Sequence, residues 1–292
     1  MCEDCGCGIV DGYKVETLVG GSKQGAEHQG DGSHSHDHGH SHGHGHSHDH
    51  GHSHDHGHSH DHGHSHDHGH SHDHGHGHGK TVDLHAPILA RNDRLAERNR
   101  GFMKAKGLAS FNLLSSPGSG KTTLLEKTLE VLIPDTPCAL INGDLATDND
   151  AERLHASGAP VAQITTGNVC HLDAEMVAKG LDQLPLDACR ILFIENVGNL
   201  VCPASYDLGE DKKIVLFSVT EGEDKPLKYP PIFHHADLVI VTKIDIADAV
   251  GFDRELAMEN LKRIAHHSTL LELSAKTGEG MDGWLAWLKE NS

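Results

Sequence analysis

The residues best suited to chemistry begin with a phosphate-binding loop. Ser115-Ser-Pro-Gly-Ser-Gly-Lys-Thr-Thr123 follows an apolar segment, 111–114, and precedes leucines at helical spacing. Strand, glycine-bearing loop and a helix opening on Gly-Lys-Thr form the context of a P-loop. Backbone N–H groups would cradle phosphates, Lys121 would reach the outer ones and Thr122 would bind Mg2+. The strict pattern has Gly where Ser115 stands, and the remaining glycines supply the close approach. The predicted phosphate contacts are Pro117, Gly118, Ser119, Gly120, Lys121, Thr122 and Thr123.

Two later segments predict which base the site accepts. After the apolar run 238–241, Thr242-Lys-Ile-Asp245 resembles the Asn-Lys-x-Asp element of GTPases, with Thr in place of Asn. An Asp there accepts from the ring N–H and the amino group of guanine, which adenine does not reproduce. Ser274-Ala-Lys-Thr-Gly278 resembles the fifth GTPase motif. The predicted base contacts are Thr242, Lys243, Asp245, Ser274, Ala275 and Lys276.

Two carboxylates stand at the ends of other predicted strands. Asp144 ends the segment beginning at Leu140, and Glu195 follows Ile191–Ile194. Mg2+ and the attacking water lie at the carboxyl ends of parallel strands beside a P-loop. Asp144 is therefore the first candidate for holding Mg2+ or water and Glu195 the second. The alternative for each is a plain helix-capping or loop residue.

Three thiols open the chain. Cys2, Cys5 and Cys7 stand at Cys-x-x-Cys-x-Cys spacing beside the α-amino group, with glycines that let the backbone fold around an ion. Three thiolates and one nitrogen complete a four-coordinate site for nickel or zinc. A redox pair is the functional alternative, although no βαβ pattern surrounds it. Three incidental exposed thiols are the other alternative.

A histidine tract fills the next part of the chain. Of 31 histidines, 23 occupy every second position from His34 to His78, and residues 31–79 contain no apolar side chain. Such a segment has no means of building a core, so disorder without metal is expected. Interspersed neutral imidazoles suit storage of nickel, zinc or copper, and the alternative is a solubilising linker or tag. The predicted organisation is a Cys motif at 1–8, a linker at 9–33, the tract at 34–79 and a globular domain at 80–292.

Charge and cysteine usage exclude several classes of function. The chain has 24 Lys and Arg against 43 Asp and Glu, a net charge of −19. An acidic chain lacks the phosphate-neutralising surface of a nucleic-acid binder and does not attract anionic membranes. No basic region followed by an apolar one stands near Met1 and no apolar run reaches roughly 18 residues, so neither a signal peptide nor a membrane span is expected. The odd number of cysteines, 7, favours a reducing compartment, so a cytoplasmic location is expected.

The elements that position these residues alternate along the chain. Apolar strands near 111, 139, 162, 191, 214, 238 and 270 are separated by helical stretches. This pattern predicts an α/β fold with a mainly parallel, doubly wound sheet and phosphates at its carboxyl edge. Apolar residues recur every seven positions at Ile88, Leu95 and Phe102 and at Leu89, Ala96 and Met103. They predict an amphipathic helix that packs on the core or, less favoured, on a partner.

Taken together, the motifs resemble the HypB family, accessory GTPases that help insert nickel into [NiFe]-hydrogenase. The resemblance rests on the N-terminal cysteines, the histidine tract, the P-loop, Gly143-Asp144, and three segments that begin at Thr166, Ile194 and Gly222. It covers residues 1–8 and nearly all of 85–292. It implies binding of GTP and GDP with Mg2+, GTP hydrolysis, a GTP-dependent homodimer, a HypA-type nickel chaperone as partner and the hydrogenase large-subunit precursor as recipient.

The resemblance also implies a second metal site and a catalytic lysine. Matched to the family motif, the ligands of Ni2+ or Zn2+ would be Cys170, His171 and Cys202, although Cys170-His171 alone fits a buried structural cysteine equally well. Lys225 would lie at the dimer interface near the nucleotide and stabilise phosphoryl charge, which adds it to Lys121, Asp144 and Glu195 as catalytic candidates. Core roles are expected for Cys138 and Cys189. The pairs His234-His235 and His266-His267 have no Cys or carboxylate at ligand spacing, so surface or capping roles are expected.

Three other functions remain open beside that of a GTP-hydrolysing nickel metallochaperone. One is a nickel store with a nucleotide-dependent assembly module, which the intact nucleotide motifs disfavour. Another is a small-molecule kinase, which Asp245 disfavours because it selects guanine. The last is a urease-directed nickel-insertion GTPase, and the N-terminal cysteines with Cys170-His171 favour the hydrogenase branch over it.

Overall fold

A single nine-stranded sheet organises the part of the chain that the computed structural model describes, residues 12–19, 22–26, 85–145 and 149–292. Its order is β2-β1-β5-β4-β6-β3-β7-β8-β9. The seven strands from β3 to β9 are parallel, and β1 pairs antiparallel with both β2 and β5. The strands are β1 Lys14–Val19, β2 Ser22–Ala26, β3 Ala109–Ser115, β4 Cys138–Asp144, β5 Val161–Thr165, β6 Ile191–Glu195, β7 Lys212–Ser218, β8 Leu238–Thr242 and β9 Thr269–Leu273.

Helices lie before, between and after the parallel strands. They are α1 His85–Lys106, α2 Lys121–Leu132, α3 Asn149–Ala156, α4 Ala174–Gln183, α5 Lys225–Lys228, α6 Pro230–His234, α7 Arg254–Ile264 and α8 Met281–Glu290. In the described ranges, no helix combines the length and apolarity needed to cross a bilayer. The predicted α/β fold with a mainly parallel, doubly wound sheet is confirmed.

Alternating side chains along the strands supply two core layers. In β6, Ile191 and Phe193 pack on one face with α2, α3 and α8, whereas Leu192 and Ile194 pack on the other with α1 and α4. In β8, Val239 and Val241 join that second face, which α6 and α7 cover. Strands buried on both faces read as continuous apolar runs, which is why the sequence identified all seven parallel strands.

The predicted linker at 9–33 is wrong for eleven residues, because 14–19 and 22–26 form a hairpin in the sheet. Lys14 stands opposite Thr165 and Leu18 opposite Val161. Val15 and Leu18 are almost fully buried. The sequence of Ser22–Ala26 contains no β-branched or aromatic residue and gives no strand signal.

Helix α1 packs on the core by one half of its predicted apolar pattern. Ala96 and Met103 are buried, whereas Ile88 and Phe102 are each 37% exposed. Two buried asparagines complete the inward stripe. Asn92 donates to Asp207 O and accepts from Ala174 N, and Asn99 donates to the carbonyls of Ala174 and Leu208. The sequence did not single out these asparagines, because polar residues on an apolar stripe resemble exposed ones until their partners are known.

Candidate nucleotide and metal sites

The lysine of the P-loop, Lys121, is buried and hydrogen-bonded within the loop. Lys121 Nζ donates to Ser115 Oγ over 2.7 Å, and Ser119 Oγ also donates to this oxygen over 2.5 Å. Burial lowers the pKa of Lys121, while the charge of Glu195 acts in the opposite direction. Gly118 and Gly120 have φ of 74° and 99°, where a side chain would be strained. Ser115, a departure from the strict pattern, therefore holds the lysine in place.

A pocket of about 320 Å3 lies beside the loop, and both predicted base motifs line it. Asp245 Oδ1 accepts from Ser274 Oγ over 2.7 Å, which aligns the carboxylate at the pocket wall. The lining includes all six residues predicted to contact the base: Thr242, Lys243, Asp245, Ser274, Ala275 and Lys276. Two segments some thirty residues apart thus meet at one site, as the sequence predicted.

The base pocket and the P-loop are joined by direct hydrogen bonds. Thr242 Oγ1 donates to Ser119 O over 2.8 Å, and Lys243 Nζ donates to Gly118 O over 2.6 Å. Within the described ranges, Lys243 is the only non-glycine residue with positive φ, at 61°. Such a backbone costs of order 1–3 kcal/mol and clusters at ligand sites. This backbone conformation places the side chain of Lys243 across the phosphate loop, where its Nζ reaches Gly118 O.

A second pocket, of about 450 Å3, continues from the P-loop to the predicted carboxylates. Thr122 Oγ1 donates to Glu195 Oε1 over 2.7 Å. Asp144 also lines the pocket, and its Oδ1 accepts from Leu145 N over 2.6 Å. Hydroxyl and carboxylate oxygens are the ligands that Mg2+ prefers, so this donor set fits the ion. Glu195, ranked second in the sequence, is the carboxylate that touches the P-loop threonine.

Glu195 is a buried carboxyl with one side unsatisfied. Its Oε2 has no hydrogen-bond partner among the described residues. Burial raises the pKa of Glu195 to about 7, against the opposing effects of the Lys121 charge and the Thr122 hydrogen bond. A cation in the pocket would return the group to its ionised form.

Arg153 lines this same pocket, although the sequence gave no reason to select it. It lies on α3 and forms a bidentate pair with Glu126, with N–O distances of 2.9 and 2.7 Å. A lone arginine on a polar helix has no motif signature. Its position beside the phosphate loop arises only from the packing of α3 on α2.

Cys170, His171 and Cys202 come together in a second cluster. Their ligand atoms lie within 4.8 Å of one another, and the two Sγ atoms are 3.2 Å apart. Ligands that share one ion at about 2.0–2.3 Å lie at most about 4.6 Å apart, so a small movement of these three side chains would place them around one ion. Two thiols and an imidazole suit nickel or zinc. The family resemblance implied this set, in which Cys170 and Cys202 are 32 residues apart.

His171 has the features of a ligand more than of a core residue. Its ring is buried against Tyr206, with ring centroids 3.9 Å apart, and its Nδ1 has no hydrogen-bond partner in the described structure. Burial lowers the pKa of His171 to about 4, so the imidazole is neutral at physiological pH. An orphaned buried nitrogen costs free energy that a metal ion would recover.

The segment that follows Glu195 links the phosphate loop to the cluster of Cys170, His171 and Cys202. Asn196 Oδ1 accepts from Leu172 N over 3.1 Å, next to His171, and Asn199 Nδ2 donates to Cys170 O over 3.1 Å. A Cβ on Gly198 would lie 3.0 Å from Pro117 Cα, so the segment passes tightly over the P-loop. The chain from Glu195 to Cys202 therefore touches the phosphate loop at one end and the thiol cluster at the other.

The remaining predicted residues lie outside these two sites or outside the described part of the chain. Lys225 lines neither pocket in the described chain; it pairs with Glu221 over 3.1 Å and lies 5.1 Å from the ring centre of Tyr229. Cys138 and Cys189 are buried free thiols, and burial raises the pKa of Cys138 to about 12, in agreement with core roles. Cys2, Cys5, Cys7 and the tract from His34 to His78 lie outside the described residues.

The chain is similar to known proteins over most of its described residues. The model of the CobW/HypB/UreG family, nucleotide-binding domain, matches residues 110–272. The hydrogenase maturation factor HypB of Escherichia coli K12 is 50% identical over 210 residues, which cover 72% of each chain. HypB from Helicobacter pylori in complex with nickel is 40% identical, with a TM-score of 0.66 over 68% of this chain and 94% of that one. HypB from Archaeoglobus fulgidus is 40% identical, with a TM-score of 0.65 over 69% and 98%.

Proposed function

Because the chain belongs to the HypB family of nucleotide-binding P-loop proteins, we propose that it is a GTP-hydrolysing nickel metallochaperone for [NiFe]-hydrogenase maturation. The observation that carries this proposal is the single segment from Glu195 to Cys202, which joins a nucleotide pocket to a thiol-imidazole cluster. The chemistry of a small-molecule kinase does not require a thiol-imidazole cluster, and passive storage of nickel does not require a nucleotide pocket.

Guanine nucleotide is the proposed ligand of the first site. Asp245 presents a carboxylate, aligned by Ser274, to a pocket that opens onto the P-loop. A carboxylate there accepts two hydrogen bonds from guanine, whereas adenine would present the lone pair of its ring N1 to the carboxylate and no N–H in that position. Mg2+ would be held by Thr122 with Glu195 or Asp144, and would supply charge neutralisation during phosphoryl transfer.

Nickel is the proposed cargo of the second site, with zinc as its competitor. Cys170, His171 and Cys202 offer three ligands and leave a coordination position open, which a site that releases its ion needs. The N-terminal Cys2, Cys5 and Cys7 and the histidine tract would act as further nickel reservoirs, on the strength of their sequence alone.

Nucleotide state is proposed to control nickel affinity. A γ-phosphate with Mg2+ would draw on Thr122 and Glu195, and a shift of Glu195 would move Asn196, Asn199 and with them Cys170. Coupling of this kind requires a different nickel affinity in the two nucleotide states. Docking of a HypA-type partner, a GTP-dependent homodimer, the large-subunit recipient and a catalytic role for Lys225 belong to the same proposal.

The test measures nickel bound to the two domain thiols in the full-length protein. Substitution of Cys2, Cys5 and Cys7 by Ser leaves Cys170 and Cys202 as the accessible thiolates. Their thiolate-to-nickel absorption band is not shared by imidazoles, so the histidine tract adds none. Nickel is titrated anaerobically in the presence of GDP, a non-hydrolysable GTP analogue or an ATP analogue. A difference of about tenfold or more between the two guanine nucleotides, and none with the ATP analogue, is expected.

Two controls separate the site from its surroundings. Cys170→Ser should abolish the absorption band, whereas Cys189→Ser, at a buried thiol that is not a member of the cluster, should leave it intact. Equal affinities with GDP and the GTP analogue would disprove nucleotide control of the metal. An equal response to the ATP analogue would disprove guanine specificity.

A further inference from the structure

Three exposed histidines form a cluster outside the sites described above. His234, His266 and His267 each offer a ring nitrogen, and these atoms lie within 4.8 Å of one another. The ring centroids are 5.9 Å apart for His234 and His266, 5.4 Å for His234 and His267, and 5.2 Å for His266 and His267. The pairs are 32 residues apart in the sequence, which is why spacing alone predicted only surface or capping roles.

The backbone fixes the two loops that carry these rings. Ser268 Oγ donates to Ala236 O over 2.5 Å, which ties the turn after α7 to the turn after α6. Ser268 N also donates to Ala265 O over 3.0 Å, so the two-histidine turn is closed at its base. A cluster held by such bonds needs little ordering when it binds an ion.

One ring already has the arrangement of a metal ligand. His234 Nδ1 lies 3.4 Å from Ile264 O. A carbonyl only accepts, so Nδ1 carries the proton in this contact and the lone pair of Nε2 is left for an ion. Metal-bound histidines commonly donate their second ring N–H to a backbone carbonyl in this way.

The histidine cluster lies at the opposite edge of the sheet from the nucleotide and thiol sites. His235 comes three residues before β8 begins, and His267 comes two residues before β9. At the far ends of these strands, Thr242 ends β8 and Ser274 follows β9, and both line the base pocket. β8 has 5 residues, so roughly 16 Å of strand separates the two edges. The histidine cluster is therefore a separate group from Cys170, His171 and Cys202 and from the nucleotide pocket.

We propose that His234, His266 and His267 bind a borderline divalent metal ion, nickel or zinc, at the surface. Three neutral imidazoles with water in the remaining positions satisfy either ion. His235 and Arg263 line the neighbouring groove of about 480 Å3. Cationic neighbours favour the neutral imidazole, which is the form that ligates.

The experiment follows individual histidines in the full-length protein. Diethyl pyrocarbonate modifies the lone pair of an imidazole nitrogen, and peptide mass spectrometry reports the rate at each residue. With Ni2+ added beyond the capacity of the histidine tract, modification of His234, His266 and His267 should slow together by about tenfold or more. His155, on α3 and outside the cluster, should react at an unchanged rate.

Variants distinguish a shared ion from separate weak contacts. His266→Ala should weaken the protection of His234 and His267 by about 100-fold in nickel concentration, because imidazoles held together act at a high effective concentration. His235→Ala changes a neighbour that is not among the three ligands, and it should leave their protection unchanged. Absence of protection in the unaltered protein would overturn the proposal. Undiminished protection of His234 in the His266→Ala protein would overturn it as well.

Discussion

Glu195 places an ionisable group where the folded protein disfavours its charge. The carboxyl is buried, one oxygen is occupied by Thr122, and burial raises its pKa to about 7. The folded state therefore holds the proton more tightly than the unfolded chain does. Below about pH 4.5 both states are protonated, and stability falls as pH rises from there to about 7.

Glu195→Gln should stabilise the protein free of nucleotide and metal, increasingly as pH rises. The variant removes the ionisation but keeps the shape, so its advantage should grow by about 3 kcal/mol between pH 4.5 and 8. Urea unfolding at several pH values measures this. Glu130→Gln, on the exposed face of α2, is the matched control and should show no such growth. An advantage for Glu195→Gln that is independent of pH would show that the buried charge is not its cause.

Single-residue chemistry was predictable where a motif surrounds it and not elsewhere. The sequence identified Lys121, Asp245 and Cys170 because their neighbours form known patterns. It ranked Asp144 above Glu195, although both stand at the ends of predicted strands. The feature that distinguishes Glu195 is its contact with Thr122, a residue 73 positions away in the sequence. Arg153 has no pattern at all. Contacts between distant residues of ordinary type are what the sequence conceals.

At the scale of elements, α1 docks on the sheet over one glycine. Gly209 has φ of 93°, and a Cβ there would lie 2.4 Å from Ala96 O in the middle of the helix. The buried Asn92 and Asn99 fix the helix at this close approach through bonds to the loop around Leu208. The heptad spacing predicted the helix but not the glycine that sets its distance.

Gly209→Ala should destabilise the protein more than the same change at another glycine of similar backbone conformation. Gly251 has φ of 66° and open space around its Cβ direction, so Gly251→Ala carries only the conformational strain, about 1–2 kcal/mol. Gly209→Ala adds displacement of α1, a further cost of roughly 1–3 kcal/mol. Urea unfolding of the two variants gives the difference. Equal losses would mean that α1 does not rest on Gly209.

At the scale of the whole molecule, the candidate sites lie at opposite ends of the parallel strands. The nucleotide pocket and the thiol cluster both follow strand ends at the carboxyl edge, where a doubly wound fold binds ligands. This edge was predictable from the alternation of strands and helices. The strand order was not, because it depends on which crossovers skip a neighbour, and the N-terminal hairpin was not, because six residues of β1 carry only a weak alternating signal.

The hairpin has a consequence for stability that tests whether residues 14–19 belong to the domain. Leu18 is 6% exposed and lies in the same core layer as Phe111 and Leu140, whereas its neighbour Val19 is 41% exposed. Leu18→Ala should therefore lower the free energy of unfolding by about 2–4 kcal/mol. Val19→Ala should lower it by less than about 0.5 kcal/mol.

Both variants lie in one strand and remove aliphatic carbon, so their difference isolates burial in the sheet. Urea unfolding of the full-length proteins, followed by the fluorescence of the buried Trp284 and Trp287, provides the measurement. Small and equal losses would return residues 9–33 to the role of a linker. A large loss confined to Leu18→Ala would show that β1, in which Lys14 stands opposite Thr165, is part of the folded domain.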